Sequence, residues 1–370
     1  MKYFALLIPF ILGLAVLLLS ATLAEAALIN AIGQFILFAF VVCLPLYRTG
    51  RMSYVDIGWP TGIVIIGLVA VLTLDGYGLR SAAIGAVYLL VGGRMAIMAL
   101  GHLASNALKD ELPRYAYQRR RWAKTGKTNK MLAAQVEVTA QGAFNATFLA
   151  YPALIIAANP SPAISALEWI GLAIWAAAFL FEETADRQKR QFIRAQQEAG
   201  LQNGVCDVGL WAWSRHPNYF GQWMGWNGVL IAAIPSWLAL YQAEFILVWL
   251  ALGAGALMVS YFMYNTLVFY SGAVPAEYYS VRKRPGFADY QARVSRFVPK
   301  PPRKGVQSDC HPLSRSVRAA ARDELRALDP GHPRRPVRGL DDTVRPLVRA
   351  ARNTHPDTGS GTALLLLQSQ

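Results

Sequence analysis

The residues best suited to chemistry lie in one short segment that precedes a hydrophobic stretch. Residues 209–221 read Gly-Leu-Trp-Ala-Trp-Ser-Arg-His-Pro-Asn-Tyr-Phe-Gly. Pro217 fits the first turn of a helix, because its ring fixes φ and its missing N–H would be unpaired there. The next backbone N–H groups, with Arg215 beside them, would form a site that favours an anion. Interfacial aromatic residues explain the Trp and Tyr side chains but not the Arg-His-Pro-Asn sequence.

A second polar segment continues a hydrophobic run into charged sequence. Glu182, Asp186, Lys189 and Arg190 fall close to one face of a predicted helix, since residues three and four apart are neighbours on a helix surface. Two interpretations are open. The charges form a self-paired helix end at the level of the lipid headgroups, or they belong to a polar binding site.

A third segment, residues 276–299, interleaves aromatic residues with cations such as Arg284 and Arg293. A basic strip lying on anionic lipid explains that composition about as well as a binding site does. Taken together, the three segments supply cations, an amide and phenols. This assortment suits a ligand that has phosphates, a ring and sugar hydroxyls.

Long apolar runs must position these segments. The 370 residues are 54% hydrophobic and 16% charged, which is not the balance of a soluble globular protein. A bilayer core is spanned by about 20 apolar residues, whose backbone groups must bond within their own segment. We therefore predict an all-α, polytopic membrane protein with about eight transmembrane helices. The predicted runs are 3–23, 28–47, 57–74, 80–100, 138–158, 163–182, 219–235 and 238–260.

The distribution of charge predicts the topology. Basic residues cluster in alternate loops. The intervening loops, near Glu25, 159–162 and 235–237, contain no Lys or Arg, and Arg80 is the one basic residue on their side of the membrane. By the positive-inside rule both termini, the basic loops and a cofactor site face the cytoplasm. The same charge placement argues against a nucleic-acid partner, despite a net charge of +14. Run 3–23 is also readable as a signal peptide, but its length favours a retained helix.

The composition changes abruptly near residue 304. Residues 305–370 contain no aromatic side chain and many Arg and Pro, so they lack the apolar content to pack. We predict a membrane domain over 1–304 and a disordered basic tail over 305–370. The three cysteines have no metal-binding or redox spacing, and no metal site is predicted.

At these segments the sequence resembles the steroid 5α-reductase-like family of integral membrane proteins, over about residues 50–302. The family pattern Gly-Leu-Trp-x-x-Ser-Arg-His-Pro-Asn-Tyr-Phe-Gly is intact at 209–221. Three weaker patterns match Glu111, Arg114 and Tyr115; Glu182, Ala185, Asp186, Gln188, Lys189 and Phe192; and Arg284, Pro285, Tyr290, Phe297 and Pro299. Leu112, Ile193 and Gln222 depart from the family.

The resemblance implies an NADPH-dependent oxidoreductase that reduces a conjugated C=C bond in a lipophilic, steroid- or isoprenoid-like substrate. Asp56, a carboxylate at the edge of a membrane run, is the candidate acid, and Tyr219 is the second candidate catalytic residue. The predicted cofactor-binding residues are Glu182, Asp186, Lys189, Trp211, Arg215, His216, Asn218, Tyr219, Arg284, Tyr290 and Arg293.

Two alternatives remain. Isoprenylcysteine carboxyl methyltransferases share a similar Arg-His-Pro-x-Tyr segment, which would imply S-adenosylmethionine as the cofactor. The cations suited to phosphates argue against this, because S-adenosylmethionine has none. A non-enzymatic lipid-binding protein is the second alternative, and it predicts polar residues in the middle of several membrane helices.

Overall fold

The computed structural model describes residues 3–105 and 111–303, and within these ranges it is helical with no strand. The predicted all-α fold is confirmed. The α-helices are α1 Ile8–Leu19, α2 Ala24–Leu37, α3 Leu44–Thr49, α4 Val55–Thr73, α5 Gly78–Ala104, α6 Pro113–Lys124, α7 Lys130–Ala146, α8 Ala150–Ala157, α9 Ala166–Glu198, α10 Pro217–Ala239, α11 Ile246–Asn265, α12 Ala273–Lys283 and α13 Phe287–Arg293. The predicted tail lies outside the described residues.

Six helical stretches in the described ranges are long and apolar enough to cross a membrane, as a multi-pass membrane protein requires. They are Ala24–Thr49, Val55–Thr73, Gly78–Ala104, Lys130–Ala157, Pro217–Gln242 and Ile246–Lys283. The other two predicted runs are helical as well. Run 3–23 forms the shorter apolar helix Phe4–Leu19, and run 163–182 forms the first half of α9, which carries Glu168 and Glu182. The count of eight spans stays a prediction.

The chain divides into two compact units. Unit 1 comprises Met1–Ala177 and Trp223–Thr266, and unit 2 comprises Ala178–Gln222 and Leu267–Gln370, of which residues up to 303 are described. Unit 1 contains most of the membrane-spanning length. Unit 2 contains all three polar segments that the sequence singles out.

At one end of unit 1 the connecting loops are tied together by two buried carboxylates. Glu244 accepts hydrogen bonds from the Ser20 hydroxyl at 2.6 Å and from the backbone N–H of Thr22 at 3.0 Å. Glu168 pairs with Arg80, whose guanidinium also donates to backbone carbonyls of residues 159–163. Arg80 is only 3% exposed. Its charge is therefore neutralised inside the protein, which explains its exception to the loop-charge pattern.

The opposite end of unit 1 gathers the basic loops around α6. Glu111 accepts from the backbone N–H of Met52 at 2.8 Å and pairs with Arg119, which also donates to Gly50 O. Helix α6 turns Tyr115 and Trp122 inward. The loop after α3 is thereby held against α6.

Polar amides also lie between the membrane helices of unit 1. Gln34 donates to Asn30 Oδ1 at 3.1 Å and to Gly62 O at 2.8 Å, while Asn145 donates to Trp59 O at 2.9 Å. Interhelical hydrogen bonds of this kind link helices in an environment where burial of apolar surface drives little association.

Candidate functional site

The local fold of unit 2 starts from the end of α9. Gly200 has a positive φ of 67°, its N–H bonds to Gln197 O, and the N–H of Leu201 bonds to Gln196 O. This pair of bonds is a Schellman motif, which ends a helix and turns the chain back. Residues 201–208 then return along α9, and Cys206 and Val208 pack with Phe192 and Trp211 in a small apolar core.

The Gly-Leu-Trp part of the motif is fixed to α9. Gly209 has φ of 56°, and a side chain there would collide with Gln188. The Gln188 amide oxygen accepts from Leu210 N at 2.8 Å, and the Trp211 indole donates to Ala185 O at 2.8 Å. The two middle sequence patterns therefore form one packed structure.

The C-terminal segment fastens the same motif from the other side. Arg215 N donates to Ser295 O at 2.8 Å, and the Ser214 hydroxyl donates to Phe297 O at 2.8 Å. The Tyr290 hydroxyl donates to Trp211 O at 2.6 Å. The three sequence patterns of this unit are therefore in contact with one another.

Glu277 is the charged centre of this structure, and the sequence analysis did not select it. Its carboxylate is 4% exposed and binds the Arg215 guanidinium through both oxygens, at 2.8 and 3.2 Å. It also accepts from Gln291 at 2.9 Å and lies 3.4 Å from Arg296. Glu277 and Asp289 are the two acidic residues among the many cations of 276–296, and that scarcity is the signal that could have identified it.

The pairing with Glu277 changes what Arg215 can do. Its guanidinium also donates to the carbonyls of Gln291 and Val294. Its charge is therefore already balanced, and its donors already hold the α12–α13 region. Arg215 is a structural cation that borders the site rather than the open anion ligand that the sequence predicts.

The same carboxylate, Glu277, determines which ring nitrogen of His216 carries the proton. Its Nε2 lies 3.2 Å from Glu277 Oε1, and burial lowers the pKa of His216 against the raising effect of that carboxylate. A neutral ring must then carry its proton on Nε2, because a carboxylate only accepts. The ring stacks on Tyr219, with centroids 5.2 Å apart.

Two of the cavities in unit 2 adjoin each other at Lys189 and Arg284, which line both. The larger has a volume of about 320 Å³ and lies against the end of α9 and the loop that follows it. The narrower has a volume of about 40 Å³, so a ring could enter it only if lining side chains moved. Eight predicted residues line the narrower cavity: Lys189, Trp211, Arg215, His216, Asn218, Tyr219, Arg284 and Tyr290.

Lys189 and Arg284 are two cations that lack a matching anion. Lys189 is 8% exposed, and its ammonium lies 4.5 Å from the centre of the Trp211 ring. Within the described ranges no carboxylate pairs with either cation. Burial and the neighbouring Arg284 lower the pKa of Lys189 to about 8. Buried charge normally requires a partner, so this arrangement fits an anionic ligand.

The buried side-chain amide of Asn218, at the start of α10, is a further polar group at the narrower cavity. Its amide nitrogen donates to Asp186 at 3.0 Å, whereas its amide oxygen is buried and has no partner in the described structure. The side chain is 7% exposed and lines the narrower cavity. A ligand N–H group would satisfy that oxygen.

Other predicted residues lie away from the cavities. Arg293 pairs with Asp207 at 3.4 Å and lines neither of the two. Glu182 packs where α9 passes Gly221, a position at which a side chain would meet the α9 backbone. Asp186 acts through its bond to Asn218.

Asp56 belongs to unit 1, where it forms its own polar cluster. Arg114 pairs with one carboxylate oxygen at 2.7 Å, and the Tyr115 hydroxyl donates to the other at 2.8 Å. Burial, followed by the field of Asp56, raises the pKa of Tyr115 well above 10. The transferable proton of this cluster therefore resides on Tyr115, and Asp56 is the acceptor.

The fold defines a multi-pass helical membrane protein, and its unit 2 contains cavities lined by the cations Lys189 and Arg284. The chain belongs to the family described as "Protein of unknown function (DUF1295)", whose model matches residues 20–294. It is 29% identical over 169 residues to a protein of the yeast Schizosaccharomyces pombe named "Uncharacterized protein C594.04c". That match covers 41% of this chain and 45% of the relative. No solved structure matches the chain.

Proposed function

We propose that the protein is a membrane-embedded, NADPH-dependent reductase of a lipophilic conjugated C=C bond, as the resemblance to steroid 5α-reductase-like proteins implies. The observation that carries the proposal is the pair Lys189 and Arg284, two cations without a carboxylate partner between two adjoining cavities. A dinucleotide has the complementary chemistry, since its diphosphate lies between two nucleoside ends.

The side chains in unit 2 fit the chemistry of this cofactor. Lys189 and Arg284 would neutralise the diphosphate, and charge-assisted hydrogen bonds are the strong ones in such a site. Asn218 would accept a hydrogen bond from the carboxamide of the nicotinamide ring through its unpartnered oxygen. If NADPH is bound there, it would supply the hydride for the β-carbon of an enone, and a protein acid would supply the proton for the α-carbon.

Asp56 and Tyr115 are our candidates for the acid of this reaction. The Tyr115 phenol keeps its proton at neutral pH and is oriented by Asp56, which Arg114 neutralises. A phenol has one O–H, so Tyr115 would have to turn it from Asp56 to a substrate carbonyl in order to polarise that carbonyl. Asp56 would then be the residue that holds the phenol in place until the substrate arrives.

The unmatched cations disfavour the methyltransferase alternative. S-adenosylmethionine carries a sulfonium cation, and placing it beside Lys189 and Arg284 adds repulsion between like charges. The lipid-binding alternative finds some support in the buried amides Asn30, Gln34 and Asn145. Since these amides bond to one another and to the backbone, they function as links between helices.

The decisive experiment is thermal unfolding of the purified full chain with NADPH, NADH or S-adenosylmethionine. A ligand that binds only the folded state raises the melting temperature, and the shift grows with the logarithm of the ligand concentration above Kd. We expect a shift with NADPH that the double variant Asn218→Ala with Tyr219→Phe largely removes. A shift with S-adenosylmethionine and none with either dinucleotide would reject the reductase.

A further inference from the structure

Helix α6 and the loop that follows it form a strongly basic surface of unit 1, which we call the α6 surface. Residues 111–130 contain seven cations and one carboxylate, Glu111. We infer that the α6 surface binds the anionic phospholipids of the surrounding bilayer, and that this lipid holds α6 against the membrane helices. None of these residues lines the two cavities described in unit 2, so the lipid site is independent of the proposed cofactor.

Two of the seven cations are paired with carboxylates of the protein. Arg114 pairs with Asp56 of α4 at 2.7 Å, and Arg119 pairs with Glu111 at 2.7 Å. Three buried side chains complete the inward face of the helix: Tyr115, Gln118 and Trp122. These contacts determine which side of α6 faces the protein.

The other side of α6 carries the remaining positive charge. The exposed cations there and at the start of α7 are Arg120, Arg121, Lys124 and Lys130. Lys127 lies between the last two, with its ammonium 5.8 Å from the centre of the Tyr3 ring. Residues 112–130 contain no Asp or Glu. The α6 surface therefore has an excess of positive charge that an anionic partner would balance.

The contacts of α6 bring this surface to the level of lipid headgroups. In the chain, α6 lies between the membrane spans Gly78–Ala104 and Lys130–Ala157. Gln118 donates to Glu137 Oε2 at 3.2 Å, and Glu137 is seven residues into the second span, a depth of about 10 Å along a helix. The headgroup region is only about 5–8 Å thick on each side of the bilayer. Helix α6 thus lies beside the ends of the membrane helices, where its exposed cations reach lipid phosphates.

Lipid on the outer face of α6 also acts on its inner face. Tyr115 and Lys124 are nine residues apart, which is about two and a half turns and places them on opposite sides of the helix. Lipid phosphates that hold Lys124 would therefore press the helix onto α4, where the Tyr115 hydroxyl donates to Asp56. Each Lys or Arg at an anionic membrane surface strengthens association by about fivefold. Several such cations suffice to keep α6 docked.

Hydrogen exchange of the full-length protein in nanodiscs tests this lipid site. One set of discs contains phosphatidylcholine alone, and in the other about a third of the lipid is phosphatidylglycerol. The measurement follows the peptide that covers α6 and needs neither cofactor nor substrate. We expect the amides of α6 to exchange about tenfold more slowly in the anionic discs. The difference should shrink at high salt, where exposed charges are screened.

Matched variants identify the residues that bind the lipid. The double variant Lys124→Gln with Lys130→Gln should remove most of the difference between the two kinds of disc. Lys124→Arg with Lys130→Arg should keep it, because the charges remain. Lys300→Gln with Arg303→Gln is the control, since it removes the same charge at two exposed positions of unit 2. It should leave the exchange of α6 unchanged.

The outcomes separate the lipid site from the proposed function. Equal exchange of α6 in the two kinds of disc would overturn the lipid site, as would a difference that the double Gln variant retains. Lipid-insensitive exchange together with binding of heparin through Lys124 and Lys130 would assign the surface to a soluble acidic partner and reject the lipid. A protein that fails to bind NADPH but shows the expected exchange would reject the reductase alone.

Discussion

Lys189 shows at the scale of one residue how a buried charge reduces stability. Its pKa of about 8 in the folded protein lies below the ordinary value of 10.5. Below pH 8 the ammonium is charged and buried, which costs up to about 3 kcal/mol at about 1.4 kcal/mol per pKa unit. Contact with the Trp211 ring offsets part of that cost. An anion bound beside it would recover the remainder.

Replacing Lys189 should therefore separate stability from binding. We expect Lys189→Met to raise the melting temperature of the ligand-free protein at pH 7 and to abolish the NADPH shift, while Lys300→Met changes neither. Between pH 8 and 10.5 the unfolded chain binds the extra proton, so the stability of the parent protein should rise with pH through that window. NADPH affinity should fall as the pH rises from 8 to 10.5, since binding requires the charged ammonium of Lys189. A Lys189→Met protein that still binds NADPH normally would contradict the assignment.

Asp56 is the residue that tests the acid of the proposed reaction. If it positions Tyr115, Asp56→Asn should lower kcat by about 10²–10⁴-fold, the range for disrupting a positioned acid, with the NADPH shift kept. Tyr115→Phe should lower kcat at least as much, because it removes the donor itself, whereas the Asp56→Asn side chain keeps an amide oxygen that accepts but loses the negative charge. Asp75→Asn is the control, as an exposed carboxylate of the same unit. Full turnover of an enone by Asp56→Asn would leave Asp56 with only a structural role, that of holding α6.

At the scale of the elements, helices α4 and α5 of unit 1 pack closely against each other at a glycine. A Cβ atom added at Gly92 would lie 2.7 Å from Pro60 O and 2.9 Å from Val64 N, both of them backbone atoms. Gly93, the next residue of the same helix, has open space around it. Small residues at such crossings allow membrane helices to pack closely.

This pair of glycines provides a matched experiment. Gly92→Ala should destabilise the protein by about 1–3 kcal/mol, the usual range for overpacking. Gly93→Ala should be neutral or stabilising by up to about 1 kcal/mol, because alanine is the better helix former. Thermal unfolding in one detergent measures both. Equal melting temperatures of the two variants would mean that α4 and α5 separate more easily than their spacing indicates.

At the scale of the whole molecule, the alternation of basic and uncharged loops still predicts eight spans with both termini cytoplasmic. Arg80, the one exception, is buried against Glu168 and so does not oppose that orientation. A reporter fused after Lys304 should therefore read as cytoplasmic. An external reading would mean either an odd number of crossings or an inverted orientation of the whole membrane domain.

The segment after Lys304 should be dispensable for the membrane domain. Its composition is rich in Arg and Pro and contains no aromatic residue, so truncation there should leave membrane insertion and the NADPH shift unchanged. Size-exclusion chromatography and thermal unfolding of the truncated chain provide the measurement. Loss of folded protein would show that residues 305–370 contribute contacts that their composition does not suggest.

The amino-acid sequence by itself determined the elements and the neighbourhood of the site. Length and apolarity specify membrane helices, since lipid leaves no other way to satisfy backbone groups. Pro217 marked the start of α10, and the motif residues Lys189, Asn218 and Arg284 came together at a cavity.

The tertiary structure decided which of the charges are available to a ligand. Arg215 and Lys189 are both cations in motifs, but Glu277, 62 residues after Arg215, neutralises only the former. Likewise Arg293 is paired with Asp207, and Asp56 with Arg114. Charge pairing depends on distances of a few ångströms between segments remote in the chain, and the spacing of residues along one sequence does not contain those distances.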